Sequence, residues 1–198
     1  QKIAKDINIK NIIKQTFTEL NTKVSHMESG TTSSLLLLEE TPDHLNVWSA
    51  NVGDSSIYAI NHLSDKVKKI SKDHKPHLKH ELKRMKSHKN FKHVNNGYVE
   101  TQDGMGLAMS RAIGDSSFGD IITAVPTIKK IENDSDTFIL ASDGLWDVMN
   151  GKKAWKVVKE NKWEKSAKIL NDIRNEKYKQ HDNTSILIVY LNREKINS

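Results

Sequence analysis

A chain of 198 residues with 36% hydrophobic and 28% charged residues carries enough apolar matter for one sizeable core and has no fibrous or disordered bias. No run approaches the ~18 consecutive apolar residues of a membrane span, and the opening QKIAKDINIK lacks a signal-peptide apolar stretch, so a cytoplasmic or nuclear protein is expected. The absence of cysteine excludes disulfides, thiolate zinc sites and a cysteine nucleophile, so any hydrolysis here must use activated water or another nucleophile.

In chain order, Ile9, Ile12, Ile13, Phe17 and Leu20 follow helical spacing and predict an amphipathic helix ending near Asn21. Three strands are then expected, at residues 31–38, 45–52 and 55–60. They are separated by the turn formers Thr41-Pro42-Asp43-His44 and Gly53-Asp54, which together suggest an antiparallel meander. Proline at 76 followed by Leu78, Leu82 and Met85 predicts a short helix. Residues 86–106 are polar, with scattered apolar anchors, and are read as a surface flap. Strands are expected at 121–128 and 137–142, helices at 151–160 and 163–176, and a last strand at 184–191. Strands in groups bracketed by helices, without strict alternation, indicate an α+β layered sandwich in a single domain.

The net charge of +6 arises from 31 basic and 25 acidic residues, with much of the excess between Lys66 and His93. A solvated lysine-rich face explains this stretch, and its sparse aromatics weigh against nucleic acid as a partner. Six of the nine histidines also fall in or near it, at His62, His74, His77, His80, His88 and His93, without the thiolates that usually accompany a structural zinc.

Two acidic motifs carry the chemistry. The strand at 137–142 ends on Asp143 of ASDGLWDV, and the last strand begins just after Asp182 and Asn183 of DNTS. If these strands are antiparallel neighbours, the two carboxylates meet at one edge, where a hard cation such as Mg2+ or Mn2+ could use their oxygens. Taken singly, each acid has a plainer explanation. Asp54 suits a hairpin turn, Asp143 before Gly144 could start a turn or cap a helix, Asp182 could make an Asx turn, and Asp147 could favour a helix dipole.

The order of blocks is more specific than any one of them: GTTSSLLLL, VWSANVGDSSIYAI, DHKP followed by a Glu and an Arg on a helix, LAMSRAIGD, FILASDGLWDVM and DNTS. From about Thr31 to Tyr190 the chain closely resembles the metal-dependent protein serine/threonine phosphatases of type 2C. The resemblance implies a four-layer α/β/β/α sandwich with antiparallel sheets and two or three Mg2+ or Mn2+ ions at one end. It implies Asp143 and Asp182 as ligands of a dinuclear pair, with Asp54 and Asp147 near a further, weaker position. Asn183 and Gly144 support the ligands, and Ser110 and Arg111, with Gly114 and Asp115, support the flap.

The family's opening arginine strand and DGHGG-type segment have no counterpart here, and the stretch from Glu100 to Gly106 departs from the family pattern. The sequence therefore reads as the C-terminal part of a catalytic domain, with the general acid, the phosphate-binding arginine and about half of the dinuclear ligands expected elsewhere. By itself this part is expected to be nearly inactive. The implied substrate is a phosphoprotein. The alternative is a pseudophosphatase that binds protein partners through the same sandwich.

Overall fold

The computed structural model describes residues 2–40, 45–131, 135–179 and 182–192, with side chains from Asp6 onward. The predicted turn at Thr41–His44 lies outside the described residues. In order, the elements are α1 (Lys2–Lys23), β1 (Gly30–Thr31), β2 (Ser33–Glu40), β3 (Leu45–Val52), β4 (Ser56–Asn61), β5 (Lys66–Lys69), α2 (Lys79–Met85), β6 (Phe91–Asn95), β7 (Tyr98–Thr101), β8 (Gly106–Leu107) and β9 (Ile113–Gly114). A 3-10 turn (Ser116–Ile121), β10 (Thr127–Ile131), β11 (Thr137–Ala141), α3 (Asp143–Trp146), α4 (Gly151–Glu160), α5 (Trp163–Tyr178) and β12 (Ile186–Tyr190) complete the chain. The architecture is α+β, with four antiparallel sheets among the described residues. The chain divides into two compact units. One comprises residues 1–33, 50–54 and 73–128; the other comprises 34–49, 55–72 and 129–198.

The second unit is built on a four-stranded sheet in the order β12-β11-β4-β5. Its strands alternate faces as a pleated strand must. Ile60, Ile139, Ala141, Ile186 and Ile188 pack with Leu145, Met149, Trp155, Val158 and Leu170 from α3, α4 and α5. Ile57, Ala59, Phe138, Leu140 and Val189 face the other way and pack with Leu36, Leu38 and Val47 of β2 and β3. This unit thus shows helix, sheet and second-sheet layers around two apolar seams. Asn150 caps α4 by accepting the Lys153 N–H at 3.0 Å, and Ala154, Trp155 and Val158 form its buried stripe.

In the first unit, Met85 of α2, Val99 of β7 and Ala112, Phe118, Ile121 and Ile122 make a separate core, covered by Phe91, Val94, Met105 and Leu107. The segment read as a flap therefore forms a small sheet, β6-β7-β8, anchored by Phe91, Val94 and Val99, whereas Tyr98, read as a further anchor, is exposed.

Several expectations need correction. β3 and β4 do not form a hairpin: β3 lies between β10 and β2, whereas β4 pairs with β11 and β5, so Gly53-Asp54 joins strands of different sheets. The strand expected at 121–128 begins at Thr127. Ile121 closes the 3-10 turn, and Pro126 has no N–H to offer a ladder. On α1 only Ile13 and Phe17 of the predicted apolar stripe are buried, while Ile12 and Leu20 are exposed. The helix predicted from Pro76 starts at Lys79, after Leu78 in an extended conformation.

Candidate metal site

The acidic corner of the second unit is made by the β11–β12 pair. Ala141 stands opposite Ile186, and the ladder continues past the strand ends, with the Ser142 N–H donating to the Ser185 carbonyl (3.1 Å) and the Ser185 N–H to the Ser142 hydroxyl (3.1 Å). Asp143 therefore leaves β11 beside the segment in which Asp182 and Asn183 approach β12. The two segments touch at Gly144, where an added Cβ would lie 2.3 Å from the Thr184 hydroxyl oxygen and 2.5 Å from the Asn183 carbonyl oxygen. Only a residue without a side chain permits that approach.

Behind both segments lies the guanidinium of Arg174, which is buried in α5. Its Nε donates to the Gly144 carbonyl (2.9 Å), Nη2 donates to the Asp182 carbonyl, and Nη1 donates to the Asn171 and Asn175 side chains (3.1 and 2.7 Å). One side chain thus fixes the spacing of the two acidic motifs. Sequence reasoning missed it, although Ser166, Leu170 and Arg174 recur every four residues along the buried stripe of α5. A basic residue in that register signals a buried cation with an assigned task.

Trp146 locks the start of the corner from the other side. Its indole N–H donates to the Ala141 carbonyl (2.8 Å) and to the Ser56 carbonyl (3.1 Å), and its ring lies 4.7 Å from that of Tyr58. Asp143 accepts the Gly144 N–H at 2.9 Å and Asp182 accepts the Asn183 N–H at 2.7 Å. Asp147 is exposed at the C-cap of α3, and its N–H donates to the Asp143 carbonyl at 2.8 Å.

Asp54 belongs to the first unit, where it is buried and pairs with Lys75 of the DHKP block at 3.0 Å. Gly53 holds the preceding turn at φ +84°, and its carbonyl accepts the His74 N–H at 3.1 Å. In the same unit Glu81 is wholly buried and gathers the block around Ser110. Arg111 reaches it through Nε (3.0 and 3.1 Å) and Nη2 (2.5 Å), the Ser110 hydroxyl donates at 3.0 Å, and Arg84 donates at 3.3 and 3.4 Å. Arg84 also donates to the Ser110 carbonyl (2.6 Å) and the Ile121 carbonyl (2.8 Å), and Arg111 to the Val125 carbonyl (2.7 Å). Burial alone would raise the Glu81 carboxyl, but bonds from Arg111 and Ser110 and the charges of Arg111 and Arg84 outweigh it and hold the group at about 2. Asp115, which follows Gly114, is buried in a left-handed conformation, and burial pushes its carboxyl up.

Hard oxygen donors on touching segments fit a divalent cation in chemistry. They fit only in part by number, because the described residues contain no group of three or more His, Cys, Asp or Glu side chains able to hold a metal ion.

The profile of the protein phosphatase 2C family matches residues 2–186. Among curated proteins, Probable protein phosphatase 2C 28 of Arabidopsis thaliana is 36% identical over 145 residues, covering 72% of this chain and 42% of its own length. Probable protein phosphatase 2C 7 of Oryza sativa subsp. japonica is 31% identical over 183 residues, covering 88% of this chain and 45% of its own length. The crystal structure of serine-threonine phosphatase 2C from Toxoplasma gondii shares the fold with a TM-score of 0.69 at 22% identity, over 92% of this chain and 64% of that one. The fold and the order of its motifs are those of the 2C type, and the chain belongs to the protein phosphatase 2C family. It spans under half the length of these two curated relatives.

Proposed function

We propose that the protein to which this sequence belongs hydrolyses phosphoserine and phosphothreonine esters of proteins at a Mg2+ or Mn2+ centre. Within it, Asp143 and Asp182 serve as metal ligands, and Asp54 and Asp147 lie near a further ion. The observation that carries this reading is the close approach of Gly144 to Asn183 and Thr184, which sets the two acidic motifs side by side. Residues 1–198 are proposed as part of the catalytic domain, with 86–106 as its flap.

Divalent cations held by these carboxylates would supply activation of water near neutral pH and neutralisation of phosphoryl charge. The chain's own residues provide the frame. Asp143 and Asp182 offer carboxylate oxygens, Gly144 admits the neighbouring segment, and Arg174 fixes both backbones from behind. Glu81 holds Ser110 and Arg111 in place. With no cysteine in the sequence, nothing here forms a phosphocysteine, in keeping with direct attack by water.

The test is phosphate release from a phosphothreonine peptide by the longer protein with Mn2+, compared with its Asp143→Asn and Asp182→Asn variants. Each variant removes an anionic ligand at nearly constant shape, and kcat should fall at least ~100-fold, as expected when metal-held water is lost. Undiminished turnover by either variant refutes its assignment. Mn2+ binding without turnover by the longer protein would favour the pseudophosphatase.

A further inference from the structure

The second unit carries a cavity of about 240 Å³ lined by Trp155, Val158, Lys159, Trp163, Ile188 and Tyr190, with His62 and Thr137 at the strand ends. Thr137 pairs with Tyr190, whereas Ala141 pairs with Ile186 beside the acidic corner. The cavity thus lies at the opposite end of the β11–β12 pair, roughly 13 Å away along the strands.

Its walls are apolar, and its polar groups are engaged. The His62 imidazole meets buried Asp136 at 2.5 Å, Lys159 meets Asp65 at 2.5 Å, and the Trp155 indole donates to Asp65 at 2.8 Å. The volume falls below the ~300 Å³ at which pockets for drug-sized ligands begin, so it suits one bulky side chain better than a cofactor. Trp163 is 55% exposed and Tyr190 47% exposed, and these residue types dominate protein-binding hot spots.

Charge identifies what surrounds the anchor. The stretch from Lys152 to Lys168 holds seven exposed lysines and two acidic residues, Glu160 and Glu164; Lys156 pairs with Glu160, Lys159 with Asp65 and Lys168 with Asp172. Lys152, Lys153, Lys162 and Lys165 make no ion pair among the described residues. A nucleic acid would need a run of open aromatic platforms, and this cavity offers only Trp163 and Tyr190 as exposed aromatics. We propose that this cavity is a docking site for an acidic protein segment, which inserts one aromatic side chain between Trp163, Tyr190 and Val158 while its carboxylates meet the α4–α5 lysines.

The test is fluorescence anisotropy of a labelled short peptide of Asp and Glu with one central Phe, titrated with the full chain at low salt. Replacing that Phe with Ala should weaken binding at least about tenfold, the effect of losing one buried anchor. Trp163→Ala, which removes a half-exposed side chain, should do the same with unchanged far-UV circular dichroism, and Lys162→Glu with Lys165→Glu should weaken binding severalfold. Chelation of divalent cations and Asp143→Asn should leave binding unchanged, which separates this site from the metal reading. Absence of binding, equal affinity for the Ala peptide, or equal affinity for single-stranded oligothymidine would overturn it.

Discussion

Glu81 and Arg174 are buried charged side chains, one in each unit, and each gathers several hydrogen bonds. Removing one partner of a buried ion network leaves the other charges uncompensated, so Glu81→Gln should lower unfolding free energy by about 3–5 kcal/mol in urea titration. Its titration sets a pH dependence as well. The folded group sits at about 2 against an ordinary 4.5, so its stabilising contribution is complete above pH 4.5 and is lost as pH falls toward 2. Acid unfolding followed by circular dichroism should show that loss, and Glu81→Gln should flatten it. Arg174→Lys keeps the charge but not the planar fork that spans the Gly144 and Asp182 carbonyls. In the longer protein it should weaken Mn2+ affinity about 10–100-fold, as loss of support behind a metal ligand does. Arg174→Lys with unchanged Mn2+ affinity would make the side chain merely structural. Asp143 and Asp182 stand out in the sequence as acids at strand ends, whereas Arg174 shows only as a basic residue in a buried helical register.

Among the elements, the meeting of β11, α3 and the segment before β12 is tightly constrained at Gly144. Gly144→Ala would drive a methyl group against the Asn183 backbone and the Thr184 hydroxyl, and overpacking of this kind costs about 1–3 kcal/mol. Thermal unfolding should register the change as a lowered Tm. Loss of the α4 cap is a milder perturbation: Asn150→Ala should cost about 1 kcal/mol by chemical denaturation, because the Lys153 N–H loses its acceptor. Strong periodicity made α4 and α5 legible, and alternation with apolar runs did the same for β3, β4 and β11. The pairing of β4 with β11 was not legible. The short Gly53-Asp54 link resembles a hairpin turn locally, and only long-range packing decides that β4 joins another sheet.

At the scale of the molecule, the described residues contain no group of three or more metal-ligating side chains, so on the proposed reading this chain alone should bind Mn2+ only weakly, in roughly the millimolar range. At a metal concentration near that dissociation constant the stabilisation is about 0.4 kcal/mol, so calorimetry should find almost no shift in Tm. A large shift would mean that the chain holds a complete site. Motif order was enough to give the family, because short blocks of particular residues in a fixed order can be read directly from a sequence. Alternation and helical period were enough to give the α+β class, because burial imposes them locally. Which strands share a sheet, how Gly144 seats against Asn183, how Arg174 binds two segments at once and how Trp163 and Tyr190 come to line one hollow were decided only in the tertiary structure. Each depends on contacts between residues far apart in the chain, and no local pattern encodes their geometry.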